Sequence, residues 1–159
     1  PLRLRKPLHM GVRVIVAHAA SLGDCEDLHA GTAQKANCFD LFVRLMDESK
    51  YRGLVFGEIS AMLQFNRMPV PLATLLKRQD LHSRLVNGSD YPLSAINALI
   101  RTRSFARDGF ITVEERQAVN EIYDYNPLLF DFVLKRTIRH PETKQQLAPS
   151  VFMANPGLD

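Results

Sequence analysis

The sequence predicts an α/β fold that corresponds to part of a (β/α)8 TIM barrel: about three C-terminal β/α units followed by C-terminal helices. Two patterns favour this fold. Apolar, β-branched segments alternate three times with segments of helical periodicity, which is typical of a parallel sheet. Each apolar segment also ends near a polar side chain, as strands do at the active-site face of a barrel. The chain has 159 residues. A whole barrel has about 250, so we expect the first half of the barrel to be absent.

The predicted strands cover residues 12–17, 53–58 and 84–89. Their ends carry side chains that can bind a metal or transfer a proton, namely His18, Glu58 and Asp90. The carboxyl ends of parallel strands meet at one edge of a sheet. We therefore expect these three side chains to converge on a common site.

Helices are predicted between and after these strands. Residues 19–37 are expected to form a loop, and a helix with an apolar face should follow it. Its apolar residues are Phe39, Leu41, Phe42, Leu45 and Met46. A second helix should follow Pro69, and a third should begin at Pro92, because proline is favoured in the first turn of a helix. The expected inner face of the third helix consists of Leu93, Ile96, Leu99 and Ile100.

Two further helices are predicted from their N-terminal signals. Residues 112–115 (TVEE) match a capping box, which predicts a helix to about Tyr125. Asn126 before Pro127 predicts an N-cap and a last helix. We expect a single domain over residues 1–159, with a docked or loose tail from about residue 141.

Composition excludes some partners. The net charge is +3, and the basic residues are scattered rather than clustered on one face, so a nucleic-acid partner is not expected. No run approaches the roughly 18 apolar residues of a membrane span. Cys25 and Cys38 lack the spacing of a zinc or redox motif, so we expect reduced thiols in a cytoplasmic protein, with a disulfide as the alternative.

Three segments resemble the last three strand motifs of the amidohydrolase-related metal-dependent hydrolases: residues 14–21 (VIVAHAAS), 56–61 (FGEISA) and 87–93 (NGSDYPL). Residues 126–130 (NPLLF) resemble the helix that closes that barrel. The resemblance implies hydrolysis or decarboxylation of a small amide, ester or carboxylate substrate, with a divalent metal such as zinc. In that family a His-x-His on the first strand and a histidine on the fifth complete the metal site. This sequence has neither.

The resemblance matches two residues to the family's metal site, and two more are substrate-binding candidates by their position at and after the second predicted strand. His18 and Asp90 are the expected metal ligands and catalytic residues, with Asp90 as general base towards a metal-activated water. Glu58 and Arg67 are the expected substrate-binding residues. A zinc site normally has three or four protein ligands, so these residues alone should make a poor catalyst.

Each of these residues also has a structural interpretation. Asp90 could cap the helix predicted after it, and His18 could be a buried imidazole bonded to the backbone. Glu58 could hold an adjacent histidine instead of binding substrate, or it could form an ion pair with Arg67 or Arg84. Arg67 could be a solvated loop residue.

The sequence thus predicts a metal-dependent hydrolase that binds a small molecule. The alternative is a non-catalytic barrel fragment or binding protein that lacks a complete metal site. Homo-oligomerisation is left open by the sequence.

Overall fold

A parallel three-stranded sheet organises the fold, which is described by a computed structural model for residues 2–27 and 34–158. The described strands are β1 (Val14–Val16), β2 (Asp24–Asp27), β3 (Gln34–Asn37), β4 (Val55–Glu58) and β5 (Leu85–Val86). The order in the sheet is β1-β4-β5, and both pairings are parallel. The prediction of three adjacent parallel strands is confirmed.

The prediction of a partial (β/α)8 barrel is wrong. Among the described residues the parallel sheet is open, and β2 and β3 form a separate antiparallel sheet. The physical reason lies in what covers β4. Successive side chains of a strand point to opposite faces. A Cβ on Gly57 would meet Phe42, whereas Phe56 lies on the other face, where a Cβ on Gly157 would meet its ring. The helix that carries Phe42 therefore covers one face of β4, and the C-terminal segment that carries Gly157 covers the other face.

The segment expected to be a loop contains the antiparallel hairpin. Asp24 pairs with Asn37 and Asp27 pairs with Gln34, and residues 28–33 lie outside the described part of the chain. Both strands are mostly polar, so no alternating apolar pattern marks them. The expectation of reduced thiols is also wrong, because Cys25 and Cys38 form a disulfide with their Cα atoms 5.1 Å apart.

The described α-helices are α1 (Leu2–His9), α2 (Cys38–Asp47), α3 (Val70–Lys77), α4 (Thr102–Arg107), α5 (Val113–Tyr125) and α6 (Pro127–Thr137). The apolar face predicted for α2 is confirmed, since all five of its predicted residues are buried. The Asn37 side chain caps this helix by accepting a hydrogen bond from the Phe39 amide.

Both predicted caps in the C-terminal half are confirmed. Thr112 and Glu115 form a reciprocal capping box at the start of α5. The Asn126 side chain accepts hydrogen bonds from the amides of Leu128 and Leu129 at the start of α6.

The prediction of an α-helix that begins at Pro92 is wrong. Residues 93–95 form a short 3₁₀ turn, and the next α-helix begins only at Thr102. The amides of Ile96 and Leu99 bond to carbonyls three residues back, so consecutive turns replace an α-helical ladder. Leu93 and Ile96 are exposed, and of the predicted inner face only Leu99 and Ile100 pack on the core, so a continuous buried apolar face is lacking there.

The C-terminal segment is docked rather than loose. The Val151 side chain is buried, and its carbonyl accepts a hydrogen bond from the Asn87 amide beside β5. None of the described helices has the length and apolarity needed to cross a bilayer.

Candidate functional site

The side chains of His18, Glu58 and Asp90 lie together at the carboxyl edge of the parallel sheet. His18 follows β1, Glu58 is the last residue of β4, and Asp90 follows β5. The His18 Nδ1 atom lies 3.3 Å from a Glu58 carboxylate oxygen, and its Nε2 atom lies 3.9 Å from an Asp90 oxygen. The predicted convergence is confirmed, and all three side chains remain partly open to solvent.

The backbone that presents two of these side chains is strained. His18, Ala19, Ala20 and Asp90 all have φ near +50°, between 49° and 54°. Residues with a Cβ pay a steric penalty in this left-handed region, and such conformations cluster at functional sites. The strain therefore supports a functional interpretation of His18 and Asp90.

Glu58 holds His18 and does not form the predicted ion pair with an arginine. Its carboxylate accepts hydrogen bonds from the Ser60 amide, from Ser60 Oγ at 2.7 Å and from the His18 amide at 3.2 Å. Arg84 instead donates to the Met46 carbonyl at 2.9 Å. The structure thus places Glu58 in contact with the histidine.

The hydrogen bonds of Ser60 determine which His18 nitrogen carries the proton. A serine hydroxyl has one hydrogen, and Ser60 Oγ donates it to the Glu58 carboxylate. Ser60 Oγ also lies 2.8 Å from His18 Nδ1 and must accept there, so Nδ1 carries a proton. In the neutral ring, Nε2 then presents a free lone pair on the side of Asp90. Since Ser60 is buried and its proton is donated to Glu58, it is not positioned as a nucleophile.

His18 and Asp90 have the chemistry of two zinc ligands. Zinc binds imidazole nitrogen and carboxylate oxygen at about 2.0–2.2 Å in tetrahedral geometry, so two such ligands on one ion lie about 3.4 Å apart. The Nε2 atom lies 3.9 Å from the Asp90 oxygen, so the two atoms would move about 0.5 Å closer together on binding zinc. A metal-binding histidine usually donates its other ring N–H to a protein acceptor, as His18 does to Ser60. No group of three or more metal-ligating side chains occurs in the part of the chain that the structure describes.

The structural interpretation of Asp90 is not supported. The residues directly after Asp90 form a short 3₁₀ turn at 93–95 and not an α-helix, and that turn has no side-chain hydrogen bond at its start. Only the Asp90 main-chain carbonyl contributes there, by accepting from the Leu93 amide at 2.8 Å. The carboxylate therefore has no capping role that would explain it.

Arg67 lies at the same edge and is not a freely solvated loop residue. Its Nη1 donates to Ser21 Oγ at 2.9 Å, and the Ser21 amide bonds back to the His18 carbonyl. Burial lowers the pKa of Arg67, and the charges of Asp90 and Glu58 oppose that shift. Within the described ranges no carboxylate lies at ion-pair distance from this guanidinium.

The buried ion pair of Asp131 and Lys135, close to the site, was not predicted from the sequence. Lys135 Nζ donates to Asp131 at 2.7 Å and to the Gly88 carbonyl at 2.6 Å. The two side chains are 1% and 3% exposed. The four-residue spacing on α6 was visible in the sequence, but such pairs are normally solvated.

Comparisons with protein-family models, curated proteins and solved structures find no match to this chain. The resemblance to amidohydrolases stays a prediction that depends on the residues named above.

Proposed function

We propose that this chain supplies His18 and Asp90 to the active site of a metal-dependent hydrolase of the amidohydrolase type. The substrate would be a small amide, ester or carboxylate, and the reaction hydrolysis or decarboxylation. One observation carries the proposal: the Ser60–Glu58 pair holds the His18 ring with Nε2 free beside the Asp90 carboxylate. This is the arrangement that a metal-binding histidine needs.

The proposed division of labour follows from these contacts. His18 Nε2 and Asp90 would hold a divalent metal ion, with zinc the best match to the nitrogen and oxygen donors. When bound, such an ion supplies Lewis-acid activation of water and of the substrate carbonyl. Asp90 would accept the proton of the attacking water, and Glu58 would keep the imidazole oriented through Ser60.

Arg67 narrows the proposed substrate class to molecules with a carboxylate. A partly buried guanidinium that has no carboxylate partner among the described residues favours an anionic ligand, which it can bind through two parallel hydrogen bonds. Glu58 is already engaged by His18 and Ser60, so its predicted role in substrate binding becomes a role in orienting His18.

Zinc titration tests the metal site. Calorimetry of the wild-type protein, with a chelator-treated control, should show weak binding, because two protein ligands do not complete a zinc site. His18→Ala and Asp90→Ala should each abolish that binding. Asp24→Asn, an exposed acidic residue on the hairpin, should leave it unchanged. Zinc binding that survives Asp90→Ala would overturn the assignment.

Turnover of N-acyl amino acids, which carry both an amide and a carboxylate, tests the chemistry. Asp90→Asn keeps the volume of the side chain but removes its basicity. With zinc bound, it should lower kcat by about 10²–10⁴-fold, the usual contribution of a general base. Arg67→Met should mainly raise KM. Wild-type turnover by zinc-loaded Asp90→Asn would exclude Asp90 as the base.

The alternative is a non-catalytic protein that binds a small anion at the same edge. Among the described residues no group of three or more metal-ligating side chains occurs, and this favours the non-catalytic alternative. Absence of zinc binding, together with Arg67-dependent binding of an N-acyl amino acid, would support this alternative.

The proposed partner is a small molecule and not a nucleic acid. The cytoplasmic location stays a prediction, and the Cys25–Cys38 bond counts against it because disulfides are rare in the cytosol.

A further inference from the structure

The buried pair Asp131–Lys135 touches the segment that carries Asp90. Lys135 Nζ donates to the Gly88 carbonyl at 2.6 Å, two residues before Asp90. On its other side Gly88 packs against the site, because a Cβ there would lie 2.6 Å from Glu58 Oε1. The Gly88 backbone therefore accepts a hydrogen bond from Lys135 and lies close to the Glu58 carboxylate.

Burying this pair is costly. Asp131 and Lys135 are almost fully enclosed, and one Asp131 oxygen has no hydrogen-bond partner among the described residues. Replacing such a pair by apolar side chains of similar size is often neutral or stabilising. Stability alone is thus a weak explanation for an ammonium group at this position.

The charges of the candidate site act on Lys135. Burial lowers the pKa of Lys135, and the charges of Asp131, Glu58 and Asp90 oppose this shift, in that order of size. Burial likewise raises the pKa of Asp131, against the attraction of Lys135.

We propose that Lys135 is a positioning residue for the candidate site. Held by Asp131, it fixes the Gly88 carbonyl and with it the segment that carries Asp90. This inference deepens the proposed function and rests on it for the link to metal binding.

The test removes both buried charges together, so that neither is left unpaired. Asp131→Asn/Lys135→Met keeps both volumes and should fold; the fully apolar Asp131→Leu/Lys135→Met is the second variant. The control is Lys144→Met, because Lys144 also donates to a backbone carbonyl, that of Pro141, but is exposed.

Two measurements report on positioning rather than on stability. Backbone ¹⁵N relaxation should show the Ser89 and Asp90 amides changing from rigid, with an order parameter of about 0.85, to flexible, below about 0.6, while β4 stays rigid. Zinc affinity should fall about tenfold, the loss expected from one hydrogen bond with a charged donor. Lys144→Met should change neither quantity.

The outcomes separate this inference from the proposed function. Unchanged order parameters at Ser89 and Asp90 in the double variant would overturn the positioning role. An unchanged zinc affinity in that variant, beside a wild-type protein that binds zinc, would also overturn it. A wild-type protein that binds no zinc would remove the proposed function, and the order parameters would then decide alone whether Lys135 positions this segment.

Discussion

Gly88 lies too close to the Glu58 carboxylate to carry a side chain without displacing it. A Cβ there would lie 2.6 Å from Glu58 Oε1 and 3.2 Å from its Cδ. Glu58 has little freedom to move away, because its carboxylate is bonded to Ser60 and to the His18 amide. A side chain at Gly88 would therefore disturb the histidine as well as the loop.

Gly88→Ala should destabilise the protein by about 1–3 kcal/mol, as overpacking usually does. It should also weaken zinc binding, since Glu58 would no longer hold His18. Urea denaturation and calorimetry measure the two effects. The matched control is Gly53→Ala, where a Cβ meets nothing within 4 Å, and a change within about 0.5 kcal/mol is expected. Equal effects at the two glycines would contradict the packing argument.

The residues of the site were predictable from the sequence, and a contact of Glu58 with an adjacent histidine was one of its expected alternatives, but the sequence could not choose between a histidine and an arginine as the partner. His18, Glu58 and Asp90 follow apolar strands, and strand ends can be read from local patterns. That Glu58 bonds to His18 and not to an arginine depends on contacts between strands about 40 residues apart. The burial of Lys135 likewise depends on which side of α6 faces the sheet.

At the scale of elements, the disulfide ties the β2–β3 hairpin to the start of α2. Cys25 lies in β2 and Cys38 is the first residue of α2, thirteen positions later. The bond closes the loop that follows His18, and it restricts the unfolded chain more than the folded one.

Cys25→Ser/Cys38→Ser should lower the free energy of unfolding by about 2–4 kcal/mol, the usual contribution of a disulfide across a loop of this length. Urea denaturation with and without a reductant measures this loss. The reductant should destabilise the wild-type protein to the same extent and leave the double variant unaffected. Labelling of both thiols in the non-reduced, folded wild-type protein would refute the disulfide.

The two helices whose starts are marked by capping residues, α5 and α6, were predicted correctly. The helix expected over residues 93–100 was not. The capping residues Thr112 and Asn126 act on amides two or three residues away, so the starts of α5 and α6 follow from local sequence. Residues 93–100 have a starting proline, but only Leu99 and Ile100 at their end pack on the core, and the chain there forms consecutive turns.

At the scale of the whole molecule, His82 joins α3 to the C-terminal segment. It is 2% exposed, its Nε2 donates to the Leu75 carbonyl at 2.8 Å, and its Nδ1 accepts from the Ala148 amide at 3.0 Å. This pattern requires the neutral ring, because a protonated Nδ1 cannot accept a hydrogen bond.

Burial lowers the pKa of His82 below the 6.5 of an exposed histidine, and the Leu75 carbonyl and Asp80 oppose that shift. The folded state therefore favours the neutral ring. Its contribution to stability is complete above about pH 6.5 and is lost as the pH falls below that value. Urea denaturation at pH 8, 6.5 and 5 should show this loss.

His82→Gln, which cannot be protonated in this range, is the control for the pH dependence. Its free energy of unfolding should be lower than that of the wild type at pH 8 and should depend less on pH between 6.5 and 5. An identical loss of stability in both proteins over that range would show that other groups cause it.

The sequence by itself determined the parallel sheet, the apolar face of α2, the two helix caps and the convergence of His18, Glu58 and Asp90. These features depend on periodicity within a strand or helix, or on the general rule that parallel strands align their carboxyl ends. Only the tertiary structure decided that the sheet stays open, that Cys25 and Cys38 are joined, and that Lys135 lies buried beneath Gly88. The reason is physical: each of these depends on which surfaces meet across long stretches of chain. The C-terminal segment covers the Phe56 face of β4, about 100 residues away in sequence, and no local pattern encodes that contact.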